Sequence, residues 1–348
     1  MSRSPNITET DAIVIGAGPV GLYQVFQLGL MGLQTHVIDA LPHPGGQCVE
    51  LYGNKPIYDI PGIPVCTGQE LIDRLQEQIK VLKTPFHLGQ EVTAIAQRTD
   101  GRFNLETTHQ SFITKTIIVA SGVGAFKARR LNLAGLQSYE GRQVFYHRQD
   151  LKNFKGKKVL INGGETPALE TAIECAQLGI DVTLVHRRDV FKAEEALVQE
   201  FQTLCQQGLI KVIVGQISGF QESSGTLTAL EVTDFDGQTQ AHAIDVLLPL
   251  LGISPKLGAI ADWGVALENK QVLVDTEKFQ SNVPGIFAVG DINTYPGKKK
   301  LIVCGFHEAT MAAYACLAHI HPDQPIHLQY TTTSPKLHAI LGVSDKTK

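Results

Sequence analysis

The chain has 348 residues, 43% hydrophobic and 18% charged, with a formal net charge of −4. That length suggests two domains, each with its own core, and no polar low-complexity tract argues for disorder inside them. The slight acidity argues against a general nucleic-acid binder, and no apolar run is long enough to span a membrane. The opening stretch MSRSPNITETD is too polar for a secretory signal, so a cytoplasmic protein is expected. The six cysteines include no CxxC and the histidines no HxxxH or HExxH, so neither a vicinal redox dithiol nor a metal site is expected.

The first element is Ile13 to Gly21, IVIGAGPVG, which reads as a buried strand, a tight turn and a helix start. Gly16 permits the turn, Gly18 lets a pyrophosphate approach the backbone, and Gly21 lets helix and strand pack closely. The next strand, THVID, ends at Asp39, where a ribose-binding carboxylate belongs. A dinucleotide site is expected there. LPHPGGQCVELYGNKPIYDIPG follows and is punctuated so heavily that it reads as an ordered loop, in which Gln47 and Tyr52 are the groups most able to touch a cofactor.

Gly68 to Lys83 has apolar residues at helical spacing, and short alternating runs then read as hairpins up to a buried strand, Ile117 to Ala120. Val92 opens a connection able to lay its backbone along an adenine. A new βαβ unit begins near Lys127: a strand at Lys158 to Ile161, the loop NGGETPA, a helix over 168–178, and a strand ending at His186, Arg187 and Arg188. Gly163 and Gly164 match a second phosphate loop and Ala168 its close-packing position, but Glu165 replaces the usual third glycine. A guanidinium pair after the second strand can fork onto a 2′-phosphate, which favours NADP over NAD; the plainer alternative is a solvated basic turn. A helix over 192–207 and a small antiparallel sheet follow. Near Thr276 the chain crosses back to a strand stopping at Gly290-Asp291, then a helix from Cys304 to Ile320 and a moderately apolar tail.

Taken together, the segments DAIVIGAGPVGLYQVFQLGL, LPHPGGQCVELY, GISPKLGAIADWG, GDINTYPGKKK and LQYTTTSPKLH resemble the ferredoxin/flavodoxin–NADP reductases of the thioredoxin-reductase-like type, nearly end to end. The fold class expected is α/β, with two Rossmann-like three-layer nucleotide-binding domains, the second inserted into the first. The expected boundaries are 1–126 and 290–348 for the FAD domain and 127–289 for the NADP domain. The resemblance implies FAD contacts at Gly16, Gly18, Pro19, Gly21, Asp39, Gln47, Tyr52, Val92, Phe126, Asp291 and Thr332. It implies NADP(H) contacts at Gly163, Gly164, Ala168, His186, Arg187 and Arg188. It also implies a homodimer in which the tail of one subunit, through Tyr330 or His338, covers the flavin of the other. Tyr52 is a further candidate for stacking on the isoalloxazine.

Disulfide reductases of this superfamily need two cysteines beside the flavin, and here Cys48 stands alone. Hydride taken from NADPH must then leave by another route, which one-electron steps serve, and the resemblance implies ferredoxin or flavodoxin as the acceptor, with the protein supplying position and electrostatics and no acid or base of its own. Lys298, Lys299 and Lys300 are the candidate charges for docking such a carrier. An NAD(P)H:quinone reductase of diaphorase type, or a flavin-bearing redox sensor with a degenerate NADP loop, remain open alternatives.

Overall fold

A computed structural model describes residues 7–122, 124–146, 149–256 and 258–343, with the backbone alone at 125–128 and 253–256. The chain divides into two compact units, one made of the residues up to Phe126 and from Pro255 onward, the other of Lys127–Ser254. The return to the first unit thus falls at 254/255, not at the expected 289/290. The reason is packing: Ile260, Trp263, Val265, Val272, Val274 and Phe279 are buried in the first unit's core. Strand Ile286–Ala288 likewise pairs in that unit's sheet. Short strands and a 3-10 turn carry little periodicity, so the sequence pattern does not mark this crossing.

The first unit is built on a seven-stranded sheet. Strand β1 (Thr8–Ile15) leads into helix α1 (Pro19–Leu30), and β2 (Thr35–Asp39) returns parallel beside β1, with Ile15 opposite Ile38. The Ser111–Val119 strand lies parallel on the other side of β1, Ile15 opposite Val119. Its far edge is shared: the first half pairs antiparallel with Phe103–Thr107, and the second half pairs parallel with Ile286–Ala288. The C-terminal halves of both central strands, Ala12–Ile15 and Ile117–Val119, are apolar and buried without a break, as expected where a sheet is covered on both faces. Four parallel strands therefore end along one line, and the residues that follow them are Gly16, Asp39 at the end of β2 itself, Ser121 just beyond Ala120, and Gly290 just beyond Val289. Ligands of open parallel sheets bind outside such carboxyl ends.

The stretch read as a loop after β2 contains a short helix, α2 (Gln47–Tyr52), entered through Gly45 and Gly46, both at positive φ. Six residues are too few to show helical periodicity, which is why the sequence reads as loop. Helix α3 (Gly68–Ile79) starts at a capping box, with Thr67 accepting from the Glu70 amide (3.2 Å) and the Glu70 carboxylate accepting from the Thr67 amide (2.8 Å). The last long helix spans Ile302–Ile320 and buries a stripe of alanines and Cys316, and a short helix, Pro335–Ile340, follows in the tail. Among the described residues no helix is long and apolar enough to cross a membrane.

The second unit has a parallel four-stranded sheet in the order Ile210–Val214, Asp181–His186, Lys158–Asn162, Val246–Pro249, with an antiparallel three-stranded sheet beside it. Helices Thr166–Gln177 and Glu195–Gln206 bury Leu169, Ile173 and Phe201 in its core. Here too the strand ends converge, with Asn162 opposite Val185 and Pro249.

Candidate nucleotide sites

In the first unit one pocket sits on the carboxyl ends of the sheet, lined by Gly16, Gly18, Pro19, Asp39, Gln47, Tyr52, Val92, Ser121, Trp263, Asp291 and Lys300 among others. Gly16 has φ +115°, and a Cβ there would lie 2.4 Å from the Ala120 carbonyl oxygen, so only glycine fits. A Cβ on Gly21 would meet the Gly16 carbonyl at 1.9 Å, which is the close helix–strand packing expected of that position. Gly18 differs. It is the N-cap of α1 in an extended conformation, and a Cβ there would meet no protein atom within 4 Å. The chain needs glycine at 16 and 21 for itself, whereas at 18 the space is left open on the pocket side, at a helix N-terminus whose amides favour an anion.

The Asp39 carboxylate accepts from the amides of Ala17 (2.6 Å) and Leu41 (2.8 Å), which ties the end of β2 to the glycine turn. Burial holds this carboxyl above the usual range, and the two backbone bonds oppose the shift. Each oxygen keeps a lone pair for a hydroxyl donor. The Gln47 amide lies across Gly122, where a Cβ would come within 2.8 Å of its nitrogen. Tyr52 sits one helical turn after Cys48, its hydroxyl 3.4 Å from the sulfur. Burial pushes the Cys48 thiol up to about 11, so at neutral pH it is a thiol and not a nucleophile. Asp291 is half-buried, and burial raises its carboxyl against the opposing pull of Lys298 and Lys300.

Two lining groups were not legible in the sequence. The Ser121 hydroxyl and the Trp263 indole N–H are buried and have no hydrogen-bond partner in the protein. Buried donors are almost always satisfied, so two orphans on residues that line one pocket are unusual. Trp263 arrives from a 3-10 turn (Gly258–Asp262) that is distant in sequence from every glycine of the fingerprint.

The remaining sequence candidates fall elsewhere. The side chain of Phe126 lies outside the described residues. Thr332, Tyr330 and His338 do not line the pocket of their own chain. Tyr330 is 63% exposed, and His338 bonds the Thr331 carbonyl through Nε2 at 2.7 Å. The three lysines expected to act together are split apart. Lys298 is not on the surface: its side chain is 7% exposed and forms an ion pair with the fully buried Glu308. Lys300 lines the pocket, and Lys299 is exposed. A tight turn at Gly297 sends successive side chains in different directions, which a run of like letters conceals.

In the second unit Gly163 and Gly164 occupy the turn after strand Lys158–Asn162. A Cβ on Gly163 would meet the Leu250 carbonyl at 2.4 Å and the Ala168 methyl at 2.8 Å, so Ala168 holds the close-packing place. A Cβ on Gly164 would collide with the His186 ring at 2.3 Å. The imidazole therefore stands over the loop, kept neutral at pH 7 by burial and by Arg187 and Arg188, which lower its pKa. Both arginines are exposed at the strand end. The Lys192 amide closes the loop onto the Gly164 carbonyl at 2.8 Å, which brings a further cationic residue to this edge. Glu165 is the helix N-cap but makes no capping bond, and its Oε2 lies 3.5 Å from where a Cβ on Gly252 would be. Its carboxylate thus leans toward the neighbouring strand end.

Comparison with known proteins places these features in context. The family described as pyridine nucleotide-disulphide oxidoreductase matches residues 10–315. The chain is 53% identical over 336 residues to ferredoxin–NADP reductase 2 of Cupriavidus metallidurans, covering 96% of this chain and 92% of that protein. It is 55% identical over 340 residues to the ferredoxin–NADP reductase of Methylibium petroleiphilum, covering 96% and 93%. Among solved structures it is similar to the thioredoxin reductase of Lactococcus lactis in its FR conformation, with a TM-score of 0.62, 25% identity, and 89% and 99% of the two chains covered.

Proposed function

The chain belongs to the pyridine nucleotide-disulphide oxidoreductase family, in its ferredoxin–NADP reductase branch, and on that premise we propose that it is a flavoenzyme passing electrons between NADPH and ferredoxin or flavodoxin. One observation carries the choice among the family's chemistries. The pocket is lined by Gly16, Gly18, Asp39, Gln47, Tyr52, Val92 and Asp291, which support a dinucleotide reading, yet among its described lining residues Cys48 is the one cysteine, and burial keeps it protonated. A disulfide reductase needs a second sulfur to receive the electron pair, so here electrons leave toward an external acceptor.

FAD fits the residues present: the α1 amides and Gly18 for the pyrophosphate, Asp39 for the adenosine ribose, Val92 beside the adenine, and Gln47, Tyr52 and Asp291 toward the flavin end. When bound it supplies hydride acceptance and one-electron release. The protein's share is to bind, orient and shield. In the second unit Arg187 and Arg188 recognise the 2′-phosphate of NADPH, with the neutral His186 packed over Gly164 to shape the loop. The exposed tail, with Leu328 61% and Tyr330 63% accessible, lies over the flavin of a second subunit in a homodimer, in the cytoplasm.

The test is NADPH-driven cytochrome c reduction with and without ferredoxin. A rate that requires the carrier and falls with added salt is expected for charge-guided docking. A rate indifferent to ferredoxin would assign the protein to the quinone or diaphorase class, and failure of NADPH to reduce the flavin would leave a sensor.

A further inference from the structure

Beneath the Gly290–Asp291 turn lies a carboxylate with every lone pair engaged. Glu308, fully buried, accepts from the Gly290 amide (2.7 Å), Asn293 Nδ2 (2.9 Å) and the Tyr295 hydroxyl (2.9 Å), and pairs with the Lys298 ammonium. The same ammonium donates to the Gly290 carbonyl oxygen at 2.8 Å. One ion pair therefore grips both the N–H and the C=O of a single residue, which sits at φ +79°. Asp291 is the next residue and lines the pocket. Taking two charges out of water is costly unless geometry and further hydrogen bonds compensate, and an apolar filling would stabilise the fold as well or better. Position is what an apolar filling could not supply.

We infer that the Lys298–Glu308 ion pair is a positioning device that fixes the Gly290–Asp291 turn for cofactor binding, so that Lys298 acts from inside the protein and takes no part in carrier docking. The inference rests on the FAD reading of the pocket. Neither side chain touches the cofactor space itself; both act through Asp291. A lysine is required because one ammonium must serve a carboxylate and a carbonyl at once, and its three donors allow that. A glutamate is required because it must accept from Gly290, Asn293 and Tyr295 together.

The experiment is a double-mutant cycle on FAD affinity, read by flavin fluorescence quenching when flavin-stripped protein is titrated with FAD, well below the unfolding temperature. Lys298→Met should weaken FAD binding about tenfold in the parent background, because Asp291, released from its fixed turn, loses its charge-assisted bond to the cofactor. In an Asp291→Ala background, already weakened, the same change should alter affinity by less than about twofold, because coupled residues are non-additive. A residue with a purely structural role would lower the melting temperature equally in both backgrounds and leave the affinity of folded protein alone. Should Lys298→Met strand Glu308 and prevent folding, the neutral pair Lys298→Gln/Glu308→Gln removes both buried charges and runs the same cycle. An unchanged affinity, or an equal loss with and without Asp291, would overturn the inference. Absence of FAD binding by the unaltered chain would overturn the cofactor reading and this inference with it.

Discussion

Gly18→Ala separates what the fold needs from what the ligand needs. The residue has φ −71° and ψ 179°, which alanine adopts freely, and its Cβ would meet nothing within 4 Å. The flavin-stripped protein should keep the parent's stability to within about 1 kcal/mol, because the roughly 0.4–1 kcal/mol gained from the less flexible unfolded chain is opposed by alanine's poorer capping of α1. On the proposed placement of FAD, the methyl would stand where the pyrophosphate approaches. Overpacking of that size costs about 1–3 kcal/mol, a weakening of FAD binding of roughly 5- to 150-fold. Gly16→Ala is the control, since φ +115° and a 2.4 Å approach to the Ala120 carbonyl make it destabilising with or without ligand. Calorimetry of the flavin-free forms and fluorescence titration with FAD measure the two quantities separately. A Gly18→Ala protein that melts with the parent and binds FAD equally well would refute the placement of the phosphates at this helix start. One that fails to fold would refute the open geometry.

The other predictions concern specificity, the lone cysteine and the surface. Replacing both Arg187 and Arg188 by alanine should lower kcat/KM for NADPH by about 10- to 150-fold at low salt and leave NADH within about twofold; equal losses would mean that the arginines do not read the phosphate. Their exposure makes the gap shrink as ionic strength rises. Cys48→Ala should keep NADPH-driven reduction of the carrier, and no neutral-range limb of the pH profile should vanish with it, because the thiol does not ionise until pH nears about 11; loss of turnover would restore a redox role to this sulfur. Lys299→Glu should weaken the salt-sensitive carrier rate without changing FAD affinity, whereas an unaffected rate would move the docking face elsewhere. Truncation after Pro325 should leave the FAD content of each chain but accelerate flavin loss, and unchanged release with a monomeric mass in sedimentation would exclude the proposed lid.

The glycine turn, the position of Asp39 beside it and the second βαβ unit were legible in the sequence because each depends on local events. A strand, a turn and a helix in succession fix where Gly16, Gly18 and Gly21 must fall, and hydrogen-bond register then brings Asp39 alongside. The same locality made Ala168 readable as a packing position beside Gly163. Tertiary structure decided the rest. Trp263 and Ser121 reach the pocket from segments far apart in the chain, and nothing near either one in sequence marks a ligand. The boundary at 254/255 depends on a three-residue strand finding the free half-edge of Ser111–Val119, a long-range pairing without periodic signature. Lys298, Lys299 and Lys300 look alike as letters, yet one is buried on Glu308, one is exposed and one lines the pocket. Charge in a sequence states only what a residue can do in water; which charges leave water is settled by the partners that the fold brings to them.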